Sequence, residues 1–182
     1  MLQETDYDCK NRRRAVQMGL SEDLERVAQQ EHQLRFQSFD EHSAWNLGSL
    51  LRSMAEERRL RVVIDVRRFG QPLFYTALEG TTPDNVEWVR RKSNLVARLH
   101  RSSYAVGLSL KVKNETLLEK YALPAADYVA HGGSFPLVVV GSGVLGSVTV
   151  SGLPQREDHE LVVEALCIEL KRDYSAVKLQ SE

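Results

Sequence analysis

Pro136-Leu-Val-Val-Val140-Gly141-Ser142-Gly143-Val144-Leu145-Gly146-Ser147-Val148-Thr149-Val150 can be read in two ways, and the fold class turns on the choice. Gly141, Gly143 and Gly146 satisfy GxGxxG after an apolar strand, and Asp158 sits about where a ribose-binding acid is expected. A dinucleotide site, however, needs a helix after the glycines, so that its N-terminus faces the pyrophosphate. Val144 to Val150 is β-branched, which predicts a strand. The glycines are therefore a hairpin turn between antiparallel strands. A phosphate loop fails on the same residues, because Ser147 stands where its lysine is required.

Strands joined by such short turns cannot be parallel neighbours, since parallel crossovers need a dozen or more residues. Upstream, Val62, Ile64 and Val66 alternate with Val63, Asp65 and Arg67, and a break at Phe69 to Pro72 precedes Leu73 to Ala77, predicting a second hairpin. Further strands are expected at Leu34/Phe36 and at Asp127 to His131. Helices are expected from a Ser38-to-Glu41 capping box, from Thr82-Pro83, over Ser102 to Lys113, and from Pro154. The class is α+β, with helices packed on an antiparallel sheet of five or six strands.

At roughly 150 residues per domain, the 182 residues make one domain, and 42% hydrophobic residues supply its core. Residues 1–20, with Arg12-Arg13-Arg14, read as a flexible arm. Residues 21–172 form the domain, beginning where Ser21 caps a helix of about ten residues, and 173–182 form a tail. A net charge of −1 gives no global field for nucleic acid or membrane surfaces. No run approaches the roughly 20 apolar residues of a membrane span, and the acidic start lacks a signal peptide's apolar region. Cys9 and Cys167 make neither a disulfide framework nor a zinc site, so a reducing cytoplasm is the expected location.

Candidate chemistry concentrates after residue 84. His131 is expected to end a strand, and Gly132-Gly133 would let a ligand approach the backbone there. Gly132-Gly-Ser134-Phe-Pro136 departs from a nucleophile elbow at its last position, leaving Ser134 a turn residue. Histidines 32, 42, 100, 131 and 159 show no ligand spacing, so no metal site is expected. Arg90 to Lys113 carries seven basic residues and no acidic one. Arg90, Arg91 and Lys92 could therefore grip an anionic ligand beside His131, although a charge run also suits a plain solvated face. Leu161 to Leu170 is apolar at eight of ten positions. Val163, Cys167, Leu170 and Tyr174 thus form a second stripe, expected to be covered by another subunit or by more of the same chain.

Ala130-His-Gly-Gly-Ser-Phe-Pro-Leu137, Gly141 to Gly146 and Val150-Ser-Gly-Leu-Pro-Gln155 with Asp158-His159 resemble the haem-degrading-domain superfamily of HbpS-like and GlcG-like proteins. With Asn85-x-x-Trp88-x-Arg-Arg-Lys92 and Ser102-Ser103, the chain looks like that superfamily's branch of small conserved (UPF-type) proteins. The resemblance covers residues 21 to 172. It implies a profilin-like α-β-α sandwich, homo-oligomers and, in some members, a bound haem or related tetrapyrrole. No haem-ligand motif transfers residue by residue.

Three functions follow as expectations. One is an oligomeric protein binding a tetrapyrrole or anionic metabolite near His131, Gly132, Gly133, Arg90, Arg91 and Lys92. Another is an assembly scaffold without a small ligand. The third is an enzyme using His131, Asp158 or His159 as acid–base groups, which requires them to share one cleft.

Overall fold

The computed structural model describes residues 2–180, with side chains from residue 17 onward. Its frame is a four-stranded antiparallel sheet in the order β2-β1-β4-β3. β1 (Val63–Arg68) and β2 (Gln71–Ala77) form the first hairpin, and β3 (Ser134–Val139) and β4 (Gly143–Ser151) the second. Gly141 and Gly143 take φ +82° and +86° in the second turn, and Gly146 lies inside β4. The hairpin reading of the glycine run therefore holds and no helix follows it.

The sheet is smaller than the five or six strands expected. Phe36 makes a single parallel bridge to Val139, donating to Val138 O at 2.8 Å and accepting from Val140 N at 2.9 Å. Residues 127–131 form no strand. Asp127 and Tyr128 instead donate to Pro124 O in a turn, and the side chains of Arg90 and Asn94 bond the carbonyls of Ala126 and Asp127. The start of that segment is thus held by a turn and by α3, and its Asp127 and Tyr128 N–H groups and Asp127 carbonyl are not available to a ladder.

Alternation along the strands gives the sheet one apolar and one polar face. Ile64, Val66, Phe135, Leu137, Val148 and Val150 pack with α1 (Glu41–Glu57) and α2 (Gln155–Glu169) in the main core. α1 and α2 cover this apolar face, and α3 (Pro83–Leu99) crosses the other. Below α3 lie Asp65, Ser147, Thr149 and Ser151, all buried. Ser134 Oγ and Thr149 Oγ1 meet at 2.8 Å, and Arg67 grips Asp65 at 2.6 and 2.9 Å. α4 (Ser103–Lys113) and the short α5 (Leu117–Tyr121) build a smaller core around Leu95, Val106, Leu110 and Leu123.

Gly146 marks where β4 passes closest to β1. A Cβ there would lie 1.9 Å from Arg67 O. Gly146→Ala is expected to cost about 1–3 kcal/mol through overpacking. Unfolding at the wild-type temperature would show that β1 can move aside.

Three local expectations change. Asp40, not Ser38, caps α1, accepting from Ser43 N at 2.8 Å. A single helix, α6, runs without interruption from Leu2 to Gln33, so no new helix starts at Ser21, whose hydroxyl instead donates to Gln17 O one turn back. Residues 173–180 are docked on the body: Val177 and Leu179 are buried, Gln30 Nε2 donates to Val177 O, and Leu179 N donates to Glu160.

The second apolar stripe is covered within the chain, which corrects the oligomer-interface assignment of Val163, Cys167, Leu170 and Tyr174. Val163 and Cys167 are fully buried in the main core, and Leu170 and Tyr174 pack against it. The physical reason is that α2 rests on β3 and β4 with one face and against α1, its neighbour on the same side of the sheet, with another, while the chain's end packs beside it, so more than one of its faces meets its own chain. Among the described residues, no helix is long and apolar enough to cross a membrane.

Candidate functional site

α3 begins with Thr82 as N-cap and Pro83 in its first turn, and the Asn85 side chain accepts from Thr82 N at 2.8 Å. Asn85, Trp88 and Lys92 then fall three and four residues apart, on one face. Opposite them the chain leaves β4 through Ser151-Gly152-Leu153 and enters α2 at Gln155, with Asp158 one turn later. His131 arrives from the segment before β3. These residues line an open cleft of about 200 Å³.

A buried ion pair forms its floor. Lys92 Nζ lies 2.7 Å from Asp158 Oδ2, and the two side chains are 3% and 2% exposed. Lys92 also donates to Val150 O at 3.2 Å, and Asp158 accepts from Leu153 N at 3.0 Å. Burial pushes the Lys92 ammonium down and the Asp158 carboxyl up from their ordinary ranges, and each partner's charge opposes that shift. Gly133, at φ +119°, makes the pair possible, since a Cβ there would lie 2.8 Å from Lys92 Nζ and 2.3 Å from Val150 O.

The rim is aromatic and basic. His131 is exposed, with its ring 5.1 Å from that of Trp88. Partial burial, then the charges of Lys92, Lys111 and Arg91, hold its pKa below the ordinary imidazole value, so it is neutral at pH 7. Arg91 stacks its guanidinium 4.4 Å from the Trp88 ring.

The expected site residues thus separate. His131 and Lys92 line the cleft, and Arg91 lies beside it on Trp88. Arg90 points away to Glu87, Asp127 and Ala126 O. Gly132 and Gly133 are buried against Gln155 O and Val150 O, so they admit the protein's own backbone and not a ligand's. The basic run does not form one positive face, because Arg90 is paired, Lys92 is buried and Arg101 meets Glu31. His159 lies outside the cleft, buried between Tyr104 and Phe135, with Nε2 2.8 Å from Gln30 Oε1. The convergence that acid–base chemistry by all three groups needs is absent. Asn85, Trp88 and Gln155 were not among the expected site residues, although helical spacing links the first two to Lys92. Among the described residues no group of histidines, cysteines and acids could hold a metal ion.

Comparison with known proteins supports one lineage. A family model described as haem degrading protein HbpS-like matches residues 39–167. A UPF0303 protein from Paraburkholderia phymatum is 59% identical over 162 residues, covering 89% of this chain and 98% of its own. One from Acidobacterium capsulatum shows the same identity and coverage. The crystal structure of the Ybr137w protein superposes with TM-score 0.74 at 28% identity, over 80% of this chain and 86% of that one. HbpS superposes with TM-score 0.57 at 19% identity, over 75% and 92%. A PduOC:heme complex does so with TM-score 0.61 at 15% identity, over 71% and 94%. The last two are likenesses of fold alone. With most of its length matched by the family model and by relatives of the same size, the chain belongs to the HbpS-like haem-degrading family, among its UPF0303 proteins.

Proposed function

We propose that this protein binds a small molecule in the cleft beside His131, with a tetrapyrrole edge or an anionic metabolite as the ligand class. The observation that carries the reading is the convergence of His131, Trp88, Gln155 and the Lys92–Asp158 pair, from three separate segments, on one open concavity. A neutral, exposed imidazole can ligate iron, Trp88 offers a flat face, and the Arg91 guanidinium stacked on it can meet a carboxylate. Membership of a haem-degrading family supports the tetrapyrrole form. The cleft volume of about 200 Å³ lies below the roughly 300–1,000 Å³ of sites that enclose drug-sized ligands. A tetrapyrrole would therefore be gripped at one edge, largely outside the cleft.

Titration with haem, and with protoporphyrin IX as the iron-free control, tests this. The expected result is a saturable Soret shift with haem, weakened at least tenfold in His131→Ala and weaker for protoporphyrin. A shift that never saturates, or that is unchanged in His131→Ala, would overturn haem ligation at this residue.

Assembly into a homo-oligomer in the cytoplasm belongs to the same reading. It is supported by apolar surface left bare on α1 and β2, where Trp45 and Tyr75 are 61% and 45% exposed. The buried Cys167 thiol, with its pKa pushed up to about 11 by burial, stays protonated and unreactive. Light scattering that reports a monomer at every concentration would remove the oligomer.

A further inference from the structure

A second, larger cleft opens elsewhere, between the C-terminal end of α1 and the segment that leaves β2. Its volume of about 740 Å³ is within the range of small-molecule sites. Ala55, Leu60, Ala77 and Leu78 contribute apolar surface, and Arg52, Arg59, Arg61, Glu56 and Glu79 contribute the charges.

The charges are not equivalent. Arg52 is committed, bonded to Glu56 at 2.9 Å and to Thr76 at 3.3 Å. Arg59, Arg61 and Glu79 have no ion pair or side-chain hydrogen bond among the described residues. Local backbone geometry brings the two arginines to the same mouth. Arg59 is the left-handed residue, φ +54°, that ends α1, where Leu60 N returns to Ala55 O and Arg59 N to Glu56 O. Arg61 follows two residues later. Its stem is laid against Gly80, where a Cβ would stand 2.8 Å from Arg61 Cδ, so that glycine keeps the path of the side chain open.

We propose that this cleft binds a small amphipathic carboxylate, with its carboxylate between Arg59 and Arg61 and its apolar body on Leu60 and Leu78. Guanidinium groups match carboxylate geometry in two-point contacts. With Arg52 held by Glu56, two guanidinium groups remain to share one carboxylate, whereas a dianionic phosphate would bring a second negative charge into a cleft that already holds Glu56 and Glu79. Glu79, unpaired on the rim, accepts from a ligand ammonium or hydroxyl, which makes amino or hydroxy acids with an apolar side chain the fitting class. The inference is independent of the cleft beside His131.

Calorimetric titration with three indole probes reads each element separately. L-Tryptophan carries carboxylate, ammonium and apolar body, indole-3-propionate lacks the ammonium, and tryptamine lacks the carboxylate. Saturable binding is expected for tryptophan, weaker binding for indole-3-propionate and none for tryptamine. Arg59→Gln and Arg61→Gln should each weaken tryptophan binding at least tenfold, with thermal unfolding and the haem titration unchanged. Glu79→Gln should bring tryptophan and indole-3-propionate closer in affinity. Failure of tryptophan to bind, tryptamine binding equally well, or binding unchanged in the Arg59→Gln/Arg61→Gln double variant would overturn the proposal. So would inorganic phosphate competing as strongly as indole-3-propionate.

Discussion

Lys92→Met is expected to destabilise the fold by about 3–5 kcal/mol at pH 7, because it leaves the Asp158 carboxylate buried without its partner. With roughly 2–4 °C lost per kcal/mol in a domain of this size, the midpoint of thermal unfolding should fall by at least about 6 °C. The loss arises from the unpaired charge more than from a missing attraction, so two rescues follow. Lys92→Met/Asp158→Asn removes both charges and keeps an acceptor for Leu153 N, which Asp158 caps at 3.0 Å. It should recover more than half of the loss. Lowering the pH should also help the single variant. The Asp158 pKa is already raised by burial with Lys92 present, and it rises further without that charge. Above that pKa the folded variant carries the buried charge, and as the pH falls through it the carboxyl takes a proton and stability returns. Measuring the unfolding midpoint of wild type, both single variants and the double variant at pH 5 and pH 7 tests both rescues. A Lys92→Met protein as stable as wild type at pH 7 would show that the pair contributes nothing.

Wild-type stability should fall between pH 7 and pH 5, and His159→Gln should flatten that fall. The His159 ring is fully buried between Tyr104 and Phe135. The Gln30 amide donates to Val177 O and Glu160, so its oxygen accepts from His159 Nε2–H, which leaves Nδ1 bare and unprotonated. Burial first, then the charge of Arg156, lowers its pKa to about 3. Above the unfolded value of about 6.5 neither state carries the proton and the full stability is present. Below it the unfolded chain takes up a proton that the folded state refuses, and the loss grows until the pH reaches the folded pKa. By pH 5 the loss amounts to about 2 kcal/mol, or about 4–8 °C in the midpoint. His159→Gln can keep the bond to Gln30 and has nothing to protonate, so its midpoint should change less over the same interval. Equal slopes for the two proteins would exclude His159 as the source.

The second hairpin was legible because its information is local. Gly141 and Gly143 favour positive φ, Val144 to Val150 is β-branched, and a two-state choice between helix and strand follows within ten residues. The helices begun at Thr82 and Ser102 were legible for the same reason, since a cap and its first turn lie within four residues of each other. Strand number was not local. Leu34/Phe36 and 127–131 carry suitable residues, but whether they pair depends on which edge is free and which helix reaches their carbonyls first.

The candidate cleft divides in the same way. His131 and Lys92 could be named from the sequence, as could Asp158, because each is a chemically conspicuous residue near a turn or cap. That Lys92 and Asp158, 66 residues apart, neutralise each other under α3 could not. Nor could the fate of Val163 and Cys167, whose helix periodicity reveals an apolar face without saying whether α1 or a second subunit meets it. Sequence by itself determined the local conformations and the faces of helices and strands, because short-range sterics and hydrogen bonding set them. Tertiary structure alone decided which of those faces and charges meet, because burial and pairing energies belong to residues brought together only when the chain has folded.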